Sequence, residues 1–219
     1  MEHPATSSAT SHPDTSSDDT QVPATPSDPS KLGFPRQGNW LTRAMGHTLL
    51  KAMGWRLEGE WPEAPKLITI GAPHTSNWDL GLAMGMMLSL NLRLSWMMKR
   101  EAFFWPLGGL WRAMGGIPID RKAAQDVVTQ TAETFAKHKQ LHLGITPEGT
   151  RSKVGGFRKG YLRMANAADV PVFLVGVDAR NKRLVLDRFW PLTGDVDADN
   201  AAIEAYYREH YQGIRADKG

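Results

Sequence analysis

Residues 67–79 read LITIGAPHTSNWD, an apolar run that leads through a turn-forming stretch into a longer apolar segment. The run at 67–70 has the length and composition of a buried strand, and residues 78–91 predict a helix. Similar runs occur at 94–98, 117–119, 141–145, 172–177 and 184–186, with helical patterns near 123–138, 158–168 and 199–211. Strands alternating with helices predict an α/β fold with a central mixed sheet flanked by helices.

An amphipathic segment precedes this pattern. Apolar residues recur at helical spacing between Trp40 and Trp55, with basic residues among them. Such a helix either packs on the domain or lies in a lipid interface with its basic groups toward the headgroups. Residues 1–30 contain no Lys, Arg or aromatic residue and predict a disordered tail. We therefore divide the chain into the tail at 1–30, an amphipathic helical segment at 31–64 and the main α/β domain at 65–219.

The charge is concentrated outside the tail. The chain has 26 basic and 23 acidic residues, and five of the acidic ones lie within 1–30, so the remainder carries a net charge of +8. That charge favours a phosphorylated metabolite, a nucleic acid or an anionic lipid surface as partner. The absence of Cys excludes a thiol nucleophile and a thiolate metal site. The longest nearly apolar stretch, 80–90, is shorter than the roughly 20 residues that span a bilayer, so we expect any membrane contact to be peripheral.

His74 and Asp79 form the first candidate constellation. Residues five apart on a helix differ by roughly 140°, so the two side chains can meet only if His74 lies in the loop before the helix. With Ser76 or Asn77 as N-cap, Asp79 falls in the first turn, where the helix dipole favours a carboxylate. A carboxylate bonded to one imidazole nitrogen fixes the tautomer and lets the other nitrogen take a proton from an alcohol. The alternative is a structural or capping contact.

A second constellation, TPEGTRS at 146–152, follows the predicted strand at 141–145. Its Arg suits a phosphate, and backbone N–H groups of such a turn suit a developing oxyanion. The alternative is a surface turn with a solvated Arg.

The third constellation, between Lys99 and Arg121, has basic ends and an aromatic centre. Its large apolar residues predict either ordinary core, which we take as the default, or the wall of an acyl-chain groove: Phe103, Phe104, Trp105, Leu107, Leu110 and Trp111. Arg121 either reaches a phosphate or pairs with Asp120 or Glu101.

In this order and spacing, over about residues 66–178, the three blocks resemble the glycerolipid and lysophospholipid acyltransferase family typified by 1-acylglycerol-3-phosphate acyltransferase. The matching positions are His74 and Asp79 in the first block, Lys99, Pro106, Gly108, Gly116, Ile117, Asp120 and Arg121 in the second, and Glu148, Gly149, Thr150 and Arg151 in the third. Thr146 departs from the family, in which an aromatic residue often precedes Pro-Glu-Gly.

The resemblance implies that His74 is the catalytic base, with Asp79 as its partner. It also implies that the substrates are bound by Lys99, Arg121, Glu148, Gly149, Thr150 and Arg151. The expected reaction moves a fatty acyl group from acyl-CoA or acyl-carrier protein to a lysophospholipid hydroxyl, foremost that of 1-acylglycerol-3-phosphate, in phospholipid biosynthesis or remodelling. The run at 74–79 most resembles short bacterial members of the family. We expect a peripheral enzyme on the cytoplasmic face of the cell membrane.

The other expected partner is an anionic membrane surface. We expect no cofactor besides the acyl donor, no metal and no nucleic acid. His74 and Asp79 lack a third ligand in a fixed local pattern, which argues against a metal site. Two rival functions stay open: a thioesterase using the same residues on water, and a non-catalytic module whose basic, aromatic surface docks on an anionic membrane or RNA.

Overall fold

A seven-stranded sheet organises the part of the chain that the computed structural model describes, which is residues 33–76, 78–120, 124–149 and 156–214. The strands are β1 (Arg56–Gly59), β2 (Lys66–Ala72), β3 (Leu94–Lys99), β4 (Gly116–Ile119), β5 (Leu141–Ile145), β6 (Val172–Asp178) and β7 (Arg183–Trp190). The helices are α1 (Trp40–Ala52), α2 (Trp78–Ser89), α3 (Leu107–Ala113), α4 (Ala124–Lys137), α5 (Gly160–Ala168) and α6 (Val196–His210).

The sheet is mixed, and its order is β1-β7-β6-β2-β5-β3-β4. Strands β6, β2, β5, β3 and β4 run parallel, whereas β7 is antiparallel to β6 and has β1 beside it in parallel. The five parallel strands therefore end at one side of the sheet, which we call the carboxyl edge. Loops at this edge bring together side chains that are distant in sequence, as in other α/β folds. The predicted fold class is confirmed.

Both faces of the sheet are covered. Successive residues of β2 point to opposite faces, and accordingly Leu67 and Ile68 belong to different hydrophobic clusters. Leu67 packs in a cluster with Leu82 of α2, whereas Ile68 packs in a cluster with Ile203 of α6. All four side chains are buried, so β2 is a central strand covered by helices on both sides.

Helix α1 packs closely on α2. Asn39 begins α1 with a capping box, in which its side chain accepts from the N–H groups of Leu41 and Thr42. A Cβ on Gly46 would lie 2.3 Å from the backbone nitrogen of Ser89, so only glycine permits this approach. The opposite side of α1 is apolar and exposed at Trp40, Leu41 and Met45. Helix α1 thus combines a packed face with an open apolar face.

Two elements were not predicted, and one interpretation was wrong. Strand β1, of four residues, and helix α3, of seven, have no sequence-based counterpart. The large apolar residues of the third constellation, an aromatic block after β3, were expected to be core. Four of their side chains are instead exposed: Phe104, Trp105, Leu107 and Leu110. The physical reason is position, because the block follows β3 beyond the carboxyl edge, where the sheet no longer provides a surface to pack against.

His142 of β5 is fully buried between two partners. The Nε1–H of Trp61 donates to Nδ1 of His142 over 3.0 Å, and Nε2 of His142 lies 2.7 Å from the carbonyl oxygen of Ala64. The imidazole is therefore neutral, with its hydrogen on Nε2. Burial lowers the pKa of His142 to about 4, although the bond to Ala64 opposes this shift.

None of the helices within the described ranges is both long and apolar enough to cross a membrane.

Candidate active site

The loop between β2 and α2 carries His74, and the first turn of α2 carries Asp79. Nδ1 of His74 lies 3.0 Å from Oδ2 of Asp79. The His side chain is 19% exposed and the Asp side chain 5%, so the pair lies just beneath the surface at the carboxyl edge. The prediction that His74 folds back from the loop onto the first turn is confirmed.

Ser76 fixes the start of this helix and the carboxylate together. Its backbone N–H donates to Oδ2 of Asp79 over 2.8 Å, and its hydroxyl oxygen accepts from the backbone N–H of Trp78 over 3.2 Å. The two contacts are reciprocal, as in a capping box, and they hold the carboxylate where the helix dipole favours it. Asp79 is thus positioned by the backbone before it contacts His74.

This geometry defines what the imidazole can do. Because Nδ1 faces a carboxylate, it carries the hydrogen, and the opposite nitrogen, Nε2, is the one that acts as a proton acceptor. Asp79 would also stabilise the imidazolium that forms when His74 takes a proton. The pair is therefore arranged for general-base chemistry on a hydroxyl or on water.

Glu148 holds the other end of the His74 loop. Its Oε1 accepts the backbone N–H of His74 over 2.8 Å, while its Oε2 is buried without a hydrogen-bond partner among the described residues. Burial raises the pKa of Glu148, partly offset by the bond from His74. The sequence suggested substrate binding for Glu148, but in the structure its Oε1 contacts the loop that carries the base.

In the turn at 146–149, a backbone N–H group is engaged in a hydrogen bond within the turn itself. The N–H of Gly149 donates to the carbonyl oxygen of Thr146 over 3.1 Å, and Pro147 has no N–H. Gly149 has a φ of +67°, which favours glycine, and a Cβ there would lie 2.9 Å from Cδ of the flexible Arg158 side chain. The expected oxyanion donors are therefore not supplied by Pro147 or Gly149.

The remaining predicted substrate-binding residues are only partly visible. Lys99 ends β3 at the carboxyl edge and is exposed. Arg121, Thr150 and Arg151 lie outside the described residues. The structure thus brings together His74, Asp79 and Glu148 and places Lys99 at the same edge.

Sequence reasoning missed a contact between the loop that carries His74 and the segment after α6. Gly213 lies against the buried side chain of Thr75, and a Cβ on this glycine would be 2.6 Å from Oγ1 of Thr75. The backbone N–H of Ala179 donates to the carbonyl oxygen of Gln212 over 2.8 Å, which ties this segment to the end of β6. No local pattern could have revealed a contact between residues so far apart in sequence.

A cavity of about 470 Å³ lies elsewhere, toward the amino ends of β3 and β5. Arg93, Arg112 and His138 are among its lining residues, and none of the predicted site residues that the structure describes lines it. Within the described ranges no group of three His, Asp or Glu side chains is placed to hold a metal ion.

Residues 58–178 match the family model described as Acyltransferase. The chain belongs to the acyltransferase family. The matched region begins before β2 and ends with β6, so it contains His74, Asp79 and Glu148. The resemblance drawn from the three sequence blocks is confirmed, as is the prediction of an acyltransferase at the level of the family.

Two individual proteins are similar to this acyltransferase-family chain. It is 32% identical over 146 residues to a 1-acyl-sn-glycerol-3-phosphate acyltransferase of Cocos nucifera, in an alignment covering 63% of this chain and 46% of that protein. The chain thus spans less than half of that relative's length. The crystal structure of the 1-acyl-sn-glycerophosphate (LPA) acyltransferase PlsC from Thermotoga maritima is similar with a TM-score of 0.55 at 18% identity, covering 77% of this chain and 76% of that one. This second likeness supports the fold.

Proposed function

We propose that the chain transfers a fatty acyl group from a thioester donor, acyl-CoA or acyl-carrier protein, to the hydroxyl of a lysophospholipid. The contact of 3.0 Å between Nδ1 of His74 and Oδ2 of Asp79 carries this proposal, because it prepares a base for an alcohol at the carboxyl edge. Of the acceptors, 1-acylglycerol-3-phosphate is the first candidate, since the Cocos nucifera relative bears that name.

The reaction proceeds without an acyl-enzyme. Nε2 of His74 removes the proton of the acceptor hydroxyl while the oxygen attacks the thioester carbonyl carbon. The tetrahedral intermediate then collapses, the C–S bond breaks, and the imidazolium returns its proton to the departing thiolate. The products are an ester and a free thiol, and Asp79 remains ionised throughout.

The acceptor's phosphate would be bound by cationic side chains. We assign this role to Arg121 and Arg151, with Lys99, which ends β3 at the carboxyl edge, as a third cation. Guanidinium groups bind phosphate oxygens in a bidentate manner. Substitution of either Arg by Ala should mainly raise the acceptor's KM.

We further propose that the enzyme works at the cytoplasmic face of the membrane as a peripheral protein in phospholipid synthesis or remodelling. The exposed apolar face of α1, with Trp40, Leu41 and Met45, supports this location, as does the net charge of +8 outside the tail. Apolar and basic groups together favour an anionic lipid interface.

The proposal is tested by thiol release from palmitoyl-CoA with and without a panel of lysophospholipids that includes lysophosphatidic acid. Wild type should release thiol only when one lysophospholipid is present. His74→Ala should lower the rate by about 10² to 10⁴, the usual contribution of a general base, and His138→Ala, which removes an exposed imidazole after α4, serves as the matched control.

Each alternative outcome has a clear meaning. Activity of His74→Ala within about tenfold of wild type would contradict the assigned base. Thiol release without any acceptor would identify a thioesterase. If palmitoyl-CoA is inert, the same panel with acyl-carrier protein as donor decides whether the chain transfers acyl groups at all.

A further inference from the structure

A short segment beyond β3 exposes four large apolar side chains. Trp105 is 90% exposed, Phe104 58%, Leu110 50% and Leu107 36%. We call these four residues the aromatic patch. Single exposed apolar residues are ordinary, whereas soluble monomers rarely expose several together, because each buried Å² of apolar surface is worth roughly 25 cal/mol. The aromatic patch therefore indicates a partner.

The backbone holds the patch in one arrangement. The N–H of Phe103 donates to the carbonyl oxygen of Arg100 over 3.1 Å, and that of Gly108 donates to the carbonyl oxygen of Phe104 over 2.7 Å. A Cβ on Gly108 would lie 2.6 Å from the carbonyl oxygen of Phe103, so glycine allows this tight turn. Phe103 packs inward, with the Arg112 guanidinium 5.2 Å from its ring centroid. The neighbouring rings are consequently directed outward.

The patch lies at the same edge of the sheet as the catalytic pair. It follows β3, which is separated from β2 only by β5, and all three strands end at the carboxyl edge. Two more exposed apolar residues, Trp78 and Leu80, lie in the first turn of α2 beside Asp79. Apolar surface therefore occurs on two of the elements that form this edge.

The charges beside the patch indicate the kind of partner. Lys99 and Arg100 are exposed directly before it, and Glu101 is the one acidic residue between Lys99 and Leu110. Trp is favoured at the boundary between lipid tails and headgroups, and each adjacent Lys or Arg adds about 1 kcal/mol of attraction to an anionic leaflet. An anionic bilayer matches both properties.

We propose that the aromatic patch inserts into the headgroup region of an anionic bilayer and thereby brings the carboxyl edge to its lipid substrate. The choice of a lipid partner rests on the proposed function. The contact is separate from α1, because it lies beside the catalytic loop and would orient the site toward the membrane rather than merely tether the chain.

The test is flotation of the full chain with vesicles of equal parts phosphatidylcholine and phosphatidylglycerol. Phe104→Ser together with Trp105→Ser should weaken vesicle binding about tenfold or more, because two exposed rings are lost. Phe189→Ser is the control, since Phe189 is an exposed ring, 41% exposed, on β7 rather than on the patch. It should bind as wild type does. Arg100→Gln should weaken binding to these vesicles but not to pure phosphatidylcholine.

A second measurement detects insertion directly. Brominated lipids should quench part of the tryptophan fluorescence of wild type, and Trp105→Phe, which keeps an apolar ring, should reduce the quenched part while binding persists, since Trp40 and Trp78 are exposed as well. Wild-type vesicle affinity in the double Ser variant would refute the proposal. The proposal would also be refuted if wild type is a dimer, the double Ser variant is a monomer, and both bind vesicles equally. The patch would then contact a second copy of the chain.

Failure of the proposed function gives a different result. With a short-chain lysophospholipid that is monomeric in water, the double variant and wild type should transfer acyl groups at equal rates. If neither transfers, the proposed function fails while the vesicle result stands. If wild type is active in this assay and the double variant is inactive, the patch contributes to the reaction itself. That result would refute a purely docking role.

Discussion

At the scale of single residues, Oδ2 of Asp79 accepts from the backbone N–H of Ser76 and also faces Nδ1 of His74. One oxygen therefore connects the helix start to the base. The other, Oδ1, is buried without a hydrogen-bond partner among the described residues. Small changes at this carboxylate should consequently act on His74 rather than on substrate affinity.

Asp79→Asn is expected to lower kcat by about 10² to 10⁴ with little change in KM. An amide can present its NH₂ group to Nδ1, which favours the wrong tautomer, and it cannot stabilise the imidazolium. Steady-state kinetics with a fixed donor concentration and varied acceptor concentration separates the effect on kcat from the effect on KM. A large rise in the acceptor's KM at unchanged kcat would instead assign Asp79 to substrate binding.

Glu148 can be probed with two substitutions of different kinds. Glu148→Gln keeps an oxygen to accept the N–H of His74, whereas Glu148→Ala removes it. We expect Ala to lower kcat by roughly 10², the effect of a small displacement of a catalytic group, and Gln to lower it far less. Equal losses in both variants would mean that the negative charge matters rather than the anchoring of the loop.

The same residue should influence stability through its pKa. Because burial raises the pKa of Glu148 above its value in the unfolded chain, ionisation opposes folding, and stability is lost as pH rises through the folded-state pKa. Glu148→Gln cannot ionise, so it should be at least as stable as wild type at neutral pH. Urea unfolding at neutral and acidic pH should show that the difference in unfolding free energy between Glu148→Gln and wild type becomes smaller as pH falls.

The pairing of His74 with Asp79 could be predicted from sequence because both residues lie within one turn between a strand and a helix. The bond from His74 to Glu148 could not, since it joins the ends of β2 and β5. It depends on strand order, and no local pattern specifies which strands become neighbours. The contact of Thr75 with Gly213 escaped prediction for the same reason.

At the scale of elements, glycines set how closely α1 approaches α2. Gly46→Ala would place a methyl group against the backbone of Ser89, which cannot move as a side chain can. We expect a loss of about 1–2 kcal/mol of unfolding free energy, the usual effect of overpacking less the gain in helix propensity.

Gly81→Ala is the matched control for this helix pair. A Cβ there would lie 3.3 Å from the flexible end of Met53, so the neighbour can adjust. This variant should be unchanged or more stable by up to about 1 kcal/mol. If chemical denaturation gave equal effects for both variants, the close approach of α1 to α2 would not depend on Gly46.

The elements that sequence analysis missed are those with weak local signals. Strand β1 has four residues, and of the strands that the structure describes only β7 pairs with it, so its pairing, rather than its composition, makes it a strand. Helix α3 contains Gly108 and Gly109, which lower its helix propensity. The long helices and apolar strands were predicted because burial imposes a regular spacing on their sequences.

At the scale of the whole molecule, buried His142 makes folding sensitive to acid. Its pKa is about 4 in the folded chain against 6.5 for the free side chain, so the unfolded chain binds the proton first as pH falls. The contribution of His142 to the free energy of unfolding is complete above about pH 6.5 and is lost as pH falls toward about 4. The shift corresponds to about 3 kcal/mol.

Urea unfolding across this pH range measures the effect. His142→Gln should be less stable than wild type at neutral pH, because its bonds to Trp61 and Ala64 change, but should lose less stability on acidification. A wild-type curve that is flat between these pH values would show that water or a rearrangement accommodates the charged imidazole.

The order of strands also determines when the sheet can be completed. Among the described strands, β1 pairs only with β7, and Arg56 lies opposite Arg183, which is synthesised long afterwards. Strand β6 lies between β2 and β7, so it connects the β7–β1 pair to the rest of the sheet. Such distant pairings slow folding and leave apolar strands uncovered in the meantime. During synthesis, the early segment around β1 must therefore wait for nearly the whole chain, which exposes the growing polypeptide to aggregation and to capture by chaperones.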